Sequence, residues 1–195
     1  MREQIEATFG VYTPDSVHVW NDWQARRKVR DDVFADHIIH YFRPGKVLEL
    51  GSAVGMWVER LRQRGFDVLG SDYFEFFVEE MKRKGLPART LDATNLPCDL
   101  DGQFDTVFCD SLSPQMDKTS PEATSLVYQN AHRVLKPGGR FIALAGTYVW
   151  GKTYMQGVYR NTHEHAAAIW STNLFDIRDV IPHQIFPSGV ARQSG

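Results

Sequence analysis

The chain is short of cysteine, of long apolar runs and of net charge, and each shortage excludes a class of protein. Cys98 and Cys109 are the two cysteines among 195 residues, too few for a disulfide framework and without a zinc-ligand spacing. We therefore expect reduced thiols in a cytoplasmic protein. No apolar stretch approaches the roughly 18 residues that span a bilayer, and the polar N-terminus is unlike a signal peptide. The net charge of −2 predicts no bulk attraction to nucleic acid or to an anionic membrane.

The first 42 residues are predicted to form a helical cap on a single domain that covers residues 1–195. Asp15 or Ser16 can cap a helix that runs to about Phe42, where an Arg-Pro-Gly sequence ends it. The charged segment 26–32 in its middle allows a break.

From residue 43 onward, short apolar segments alternate with segments of helical periodicity, which predicts an α/β core over residues 43–195. Such alternation is typical of a doubly wound, mainly parallel sheet with helices on both faces, a Rossmann-like fold. The expected strands are 46–50, 66–72, 88–91, 104–109, 140–144 and 174–181, and the expected helices are 54–64, 74–84, 120–134 and 163–172.

Residues 46–55 pass from the first strand into a loop of small residues and then into a helix, an arrangement that holds nucleotide-like ligands at the carboxyl edge of a sheet. The dinucleotide frame G-x-G-x-x-G fails here, because it places the bulky Met56 where a glycine lets helix and strand approach. A different frame, E-x-G-x-A-x-G, fits the loop at Glu49, Gly51, Ala53 and Gly55.

That frame resembles the first motif of class I S-adenosylmethionine-dependent methyltransferases, D/E-x-G-x-G-x-G, with Ala53 in place of the central glycine. Three later segments are similar to the same family in the same order. They are the "D-A-x-x-L-P" sequence at 92–97, the "F-D-x-V" strand at 104–107 and the "R-V-L-K-P-G-G" turn at 133–139. The resemblance covers roughly residues 45–145, and it implies S-adenosylmethionine as the cofactor and methyl transfer as the activity.

Acidic residues at strand ends are the main candidates for cofactor contacts. Asp72 ends the second strand about 20 residues after the loop, where a carboxylate can accept both ribose hydroxyls; a helix cap is the alternative. The resemblance implies that Asp92 accepts from the adenine amino group, and a turn residue is the alternative. The candidate cofactor-binding residues are Glu49, Gly51, Ser52, Ala53, Gly55, Asp72, Tyr73, Asp92, Ala93, Asp110 and Ser111.

Methyl transfer to a hydroxyl or a protonated amine needs a general base, whereas a neutral amine does not. The candidate bases are Asp110, His163 and His165, with His18 ranked behind them. The polar and aromatic stretch 146–165 is the expected substrate loop. No metal is expected, because His163 and His165 would not share one helix face.

The favoured acceptor is an O or N nucleophile of a small molecule. A D/N-P-P-Y/F sequence, which marks amino-directed DNA methyltransferases, is absent after the fourth strand. The Pro-Cys pair of cytosine-C5 methyltransferases follows their fourth strand, whereas Pro97-Cys98 precedes it here. The alternatives are a methyltransferase that acts on protein or tRNA, and a non-catalytic, cofactor-binding regulatory or scaffold subunit. The segment 184–195 is short for a seventh, antiparallel strand, so a partner chain, such as the second copy of a homodimer, could complete the sheet.

Overall fold

The computed structural model describes residues 12–112, 121–144 and 162–180. Five helices and five strands alternate along these segments, with short 3-10 helices at Ile39–Tyr41 and Cys98–Leu100. In chain order they are α1 (Ser16–Ile38), β1 (Lys46–Leu50), α2 (Met56–Gln63), β2 (Asp67–Asp72), α3 (Glu75–Arg83), β3 (Ala88–Thr90), β4 (Phe104–Asp110), α4 (Pro121–Val134), β5 (Leu135–Leu144) and α5 (Thr162–Trp170).

The strands form one sheet in the order β3-β2-β1-β4-β5, and every pair is parallel. The side chains of β1 alternate between two apolar layers, since Val47 packs with the α1 and α2 side of the sheet and Leu48 packs with the α4 side. Burial on both faces is what a parallel sheet covered by helices requires. The predicted Rossmann-like α/β fold is confirmed.

Helix α1 runs unbroken through its charged middle, so the predicted break at 26–32 is wrong. Two acidic residues of α1 pair with arginines that lie in α2 or directly after it. Arg60 is 3% exposed and its Nε lies 3.0 Å from Asp32 Oδ1, while an Arg64 guanidinium nitrogen lies 2.7 Å from Asp36 Oδ1. The helix is therefore held by partners about 28 residues away in sequence, which a local pattern does not reveal.

The predicted sixth strand at 174–181 is wrong over the described residues 174–180, which contain no strand. Phe175 instead stacks on Phe141 of β5 at 5.3 Å between ring centroids and meets the ring of His132 edge-on at 5.6 Å. The apolar residues of this segment thus pack onto β5 and α4 and do not pair with a strand of the sheet. The segment 184–195 lies outside the described residues.

Gly70 is expected to be intolerant of any side chain, because it lies in β2 where α2 and α3 approach. A Cβ there would be 2.5 Å from Val58 Cγ2 and 3.0 Å from Met81 Sδ. We expect Gly70→Ala to destabilise the protein by about 1–3 kcal/mol through overpacking, measured by urea denaturation. Gly65→Ala is a poor comparison because Gly65 has a positive φ. The better control is Gln129→Ala at an exposed position of α4, and an unchanged midpoint for Gly70→Ala would contradict this account.

Candidate active site

The candidate site lies at the carboxyl edge of the sheet, where the chain order reverses. The strands β1, β2 and β3 follow one another in one direction, whereas β4 and β5 continue on the other side of β1. In open α/β sheets the crevice at such a reversal is the usual place for a ligand. Glu49, Asp72 and Asp110 occupy the ends of β1, β2 and β4, which are adjacent strands.

The loop 51–55 after β1 has three residues in the left-handed region, with φ of +74° at Gly51, +46° at Ala53 and +86° at Gly55. A Cβ on Gly51 would lie 2.8 Å from Leu112, and one on Gly55 would lie 2.7 Å from Leu86. The positive φ would strain a side chain at either glycine, and the neighbouring leucine would also have to move. Ala53 adopts the same region at a cost of roughly 1 kcal/mol, and its N–H is engaged by Asp72.

Asp72 fixes two backbone segments at once. Its Oδ2 accepts the Ala53 N–H at 2.9 Å and its Oδ1 accepts the Phe74 N–H at 3.0 Å. The side chain is 7% exposed, and burial raises its pKa to about 6 against the lowering effect of these N–H donors. Each carboxylate oxygen keeps a lone pair for a further donor. The predicted ribose role and the helix-cap alternative thus do not exclude each other, since Asp72 accepts the Phe74 N–H directly before α3.

Glu49 is a buried acid with an unsatisfied oxygen. The residue is 1% exposed, and its Oε2 makes no hydrogen bond within the described structure. Burial raises its pKa to about 8, and the neighbouring Asp110 and Asp72 charges add to this, while a Ser52 hydrogen bond opposes it. Native structures satisfy almost all buried polar atoms, so an orphan oxygen at a strand end indicates a place for a donor or a cation.

Asp110 at the end of β4 is held by two donors. Trp57 Nε1 donates to Oδ2 at 2.8 Å and Ser111 Oγ donates to Oδ1 at 3.0 Å. Ser111 itself adopts a φ of +56°, so it turns the chain away directly after the strand. Trp57 is not among the site residues expected from the sequence. A signal was available, because a buried indole N–H needs an acceptor.

Asp92 lies just beyond β3 in a turn of its own. Its Oδ1 accepts from the Thr94 N–H at 2.8 Å and from the Thr94 hydroxyl at 2.6 Å. Ala93 is 9% exposed and packs in the α4-side layer. Tyr73, which follows Asp72, is 37% exposed. A ligand bound at the ends of β2 and β3 would thus have predicted contacts on the β2 side at Tyr73 and on the β3 side at Asp92 and Ala93.

A cavity of about 430 Å³ opens beside the end of β2, lined by residues 12–14 and 73–76. Tyr12 reaches it from the segment before α1, with its ring 5.5 Å from that of Phe74 and 5.8 Å from that of Phe77. Burial and the nearby Asp72 charge raise the pKa of Tyr12 to about 12. The N-terminal cap therefore reaches the site edge.

The remaining predicted site elements are only partly described. His163 and His165 lie in the first half of α5, and their side chains fall outside the described part of the structure. Most of the predicted substrate loop, residues 146–161, is also outside it. Within the described ranges, no group of three metal-ligating side chains occurs and no helix is both long and apolar enough to cross a bilayer.

A sequence profile described as a methyltransferase domain matches residues 47–139. These residues contain the loop and the three strand-end acids just described. The match covers a little under half of the chain. The family resemblance drawn from the four sequence motifs is thereby confirmed.

Solved structures similar to this chain share its fold. A protein from Pyrococcus horikoshii OT3 is 24% identical, with a TM-score of 0.53 over 64% of this chain and 55% of that one. The glycopeptide N-methyltransferase MtfA, complexed with S-adenosylhomocysteine, is 20% identical, with a TM-score of 0.50 over 57% of this chain and 47% of that one. This chain thus spans about half the length of each of these two structures.

A broader match comes from Haloferax volcanii. It is a methyltransferase in complex with the Trm112 methyltransferase activator, 18% identical, with a TM-score of 0.62 over 83% of this chain and 75% of that one. At this identity the likeness is one of fold. No curated protein sequence matches the chain significantly.

Proposed function

We propose that this chain binds S-adenosylmethionine at the carboxyl edge of its sheet and transfers the methyl group to an O or N nucleophile of a small molecule. The observation that carries the proposal is the orphan Oε2 of Glu49, buried between Asp72 and Asp110. S-adenosylmethionine carries a sulfonium and an ammonium, and buried carboxylates without a cationic partner are stabilised by such a ligand. None of the ion pairs among the described residues includes Glu49 or Asp72.

The roles of the remaining contacts follow from position along the edge. Asp72 would accept the ribose hydroxyls with its free lone pairs, and Asp92 would accept the adenine amino group with its second oxygen. Tyr73 and Ala93 would bound the adenosine, while Gly51, Ser52, Ala53 and Gly55 let the backbone approach the methionine end. Glu49 would face the positive charges. This arrangement orients the cofactor from the β3 side towards β4.

When bound, the cofactor supplies an activated methyl group, so the protein has to align a nucleophile with it and exclude water. Asp110 and Ser111 lie at the strand end on the reactive side. Since both Asp110 oxygens already accept hydrogen bonds from Trp57 and Ser111, we propose that Asp110 orients an acceptor rather than removing its proton. His163 and His165 then remain the proposed bases for a hydroxyl acceptor.

The small-molecule acceptor is supported by the net charge of −2 and by the absence of the amino-directed DNA motif after β4. A protein or tRNA acceptor is the second candidate. Its support is the breadth of the match to the Haloferax volcanii methyltransferase that was solved with an activator. A methyltransferase that depends on an activator would be inactive alone, which makes this candidate separable by experiment.

The decisive test is calorimetry with S-adenosylmethionine followed by turnover assays. We expect binding at micromolar cofactor and S-adenosylhomocysteine release with at least one small hydroxyl or amine acceptor in a panel. Turnover with a protein or tRNA fraction, but with no small molecule, would show that the acceptor is a macromolecule. Binding without any turnover would favour the scaffold alternative, and no binding at millimolar cofactor would refute the proposal.

A further inference from the structure

Lys84, directly after α3, reaches into the candidate cofactor loop. Its Nζ donates to the Val54 carbonyl oxygen at 2.8 Å and to Asn21 Oδ1 of α1 at 2.7 Å. The side chain is 24% exposed, and burial lowers the pKa of its ammonium. A lysine that gives up hydration in this way is held by the two oxygens that accept from it and by Glu80, whose Oε1 lies 3.9 Å from Nζ.

The Val54–Gly55 peptide is fixed at both of its polar ends. Lys84 binds the carbonyl oxygen of Val54, and the Gly55 N–H donates to the Ser52 carbonyl oxygen at 2.8 Å. One residue earlier, the Ala53 N–H is taken by Asp72. Because Ala53 and Gly55 both have positive φ, the direction of this peptide plane decides which N–H groups face the crevice. Lys84 is the only side chain from outside the sheet among these three anchors.

The same lysine connects the loop to α1. Asn21 Nδ2 donates to Glu80 Oε1 at 2.8 Å, and Glu80, which is 8% exposed, also accepts from Arg83 Nε at 2.7 Å. Trp20, next to Asn21, packs its ring against Phe77 at 6.4 Å between centroids. Helix α1 thus contacts α3 through both a polar network and an aromatic cluster, next to the loop.

We propose that Lys84 is a positioning residue that holds the loop in its cofactor-binding conformation. We further propose that α1 supports this conformation through the contact of Asn21 with Lys84. The proposal rests on the proposed function for its ligand. The effect of Lys84 on the conformation of the loop can be measured without any cofactor.

The test compares Lys84→Met with Lys82→Met, an exposed lysine of α3 that contacts no loop residue in the described structure. We expect Lys84→Met to raise the Kd and the KM for S-adenosylmethionine about tenfold, with kcat for the acceptor changed less than twofold. Hydrogen exchange should quicken at the amides of residues 52–55 in the cofactor-free protein and stay unchanged over β4. Lys82→Met should match the wild type in every measurement.

Asn21→Leu supplies a second route if Lys84→Met folds poorly, because it leaves Lys84 on Val54 but removes its other acceptor. A threefold loss of affinity and faster exchange at 52–55 would support the proposal. Wild-type affinity in Lys84→Met, or exchange that quickens throughout the protein, would overturn it. If the wild type binds no cofactor, the proposed function fails. The exchange rates at 52–55 would still show whether Lys84 holds the loop in its conformation.

Discussion

Replacing Glu49 with glutamine is expected to stabilise the cofactor-free protein at alkaline pH and to weaken the binding of S-adenosylmethionine. Burial raises the Glu49 pKa from 4.5 to about 8, so the folded state holds a proton that the unfolded state releases. The stabilisation from that proton is complete below pH 4.5 and is lost as the pH rises towards 8. Glutamine carries no ionisable group, so the variant escapes this loss. The shift corresponds to about 5 kcal/mol at pH 8.5, and burial of the glutamine amide offsets roughly half of it, so we expect a net gain of about 2 kcal/mol.

The same carboxyl gives cofactor binding a pH dependence of the opposite sense. A cationic ligand needs the ionised form of Glu49, so the affinity should rise with pH up to about 8 and a proton should leave on binding. Glu49→Gln should lose about a hundredfold in affinity and the proton release together.

Denaturation between pH 5 and 9, and calorimetry in two buffers of different ionisation enthalpy, measure these effects. Glu79→Gln, at an exposed position of α3, is the matched control and should reproduce the wild type. A Glu49→Gln protein that binds the cofactor as tightly as wild type, or that loses stability at pH 8.5, would remove Glu49 from the proposed site.

Asp72→Ala is expected to lose at least a hundredfold in cofactor affinity and about 2 kcal/mol in stability. The affinity falls because two ribose hydroxyls lose a charged acceptor, each worth about 1.5–3 kcal/mol. The stability falls because the Ala53 and Phe74 N–H groups lose their acceptor. Asp72→Asn keeps one acceptor oxygen and should lie between wild type and Asp72→Ala in both quantities.

Asp67→Ala, at the exposed start of the same strand, should change neither. Calorimetry with S-adenosylmethionine and with adenosine separates the two parts of the effect, since adenosine has the ribose but neither positive charge. Should Asp72→Ala bind adenosine within threefold of wild type, Asp72 would be a turn-stabilising residue alone, which is the alternative that its two backbone contacts also permit.

The parts of the fold that depend on local pattern could be predicted from the sequence. Strand β1, the glycine loop and α2 follow from alternation and spacing within 20 residues. The unbroken course of α1 could not be predicted in this way, because Asp32 pairs with Arg60 of α2 and Asp36 pairs with Arg64, directly after α2. The strand expected at 174–181 is absent over 174–180 for a similar reason, since Phe175 packs its ring against Phe141 and His132, which precede it by more than 30 residues.

The candidate site shows the same division. Position at strand ends was enough to nominate Glu49, Asp72 and Asp110. The groups that orient them were not visible, because Trp57 meets Asp110 across 53 residues and Lys84 meets Val54 across 30. Contacts of this kind depend on how helices settle on the sheet, and no short motif encodes them.

The central pair of strands, β1 and β4, is also the pair that encloses the candidate crevice, and it joins residues far apart in the chain. Val47 lies opposite Thr106 and Leu50 lies opposite Cys109. Contacts of such long sequence separation form slowly, because the loop entropy is lost before they bring any gain. The two walls of the crevice therefore meet late in folding. A cofactor can bind only after this slow step has formed the crevice. It should therefore slow unfolding far more than it speeds folding.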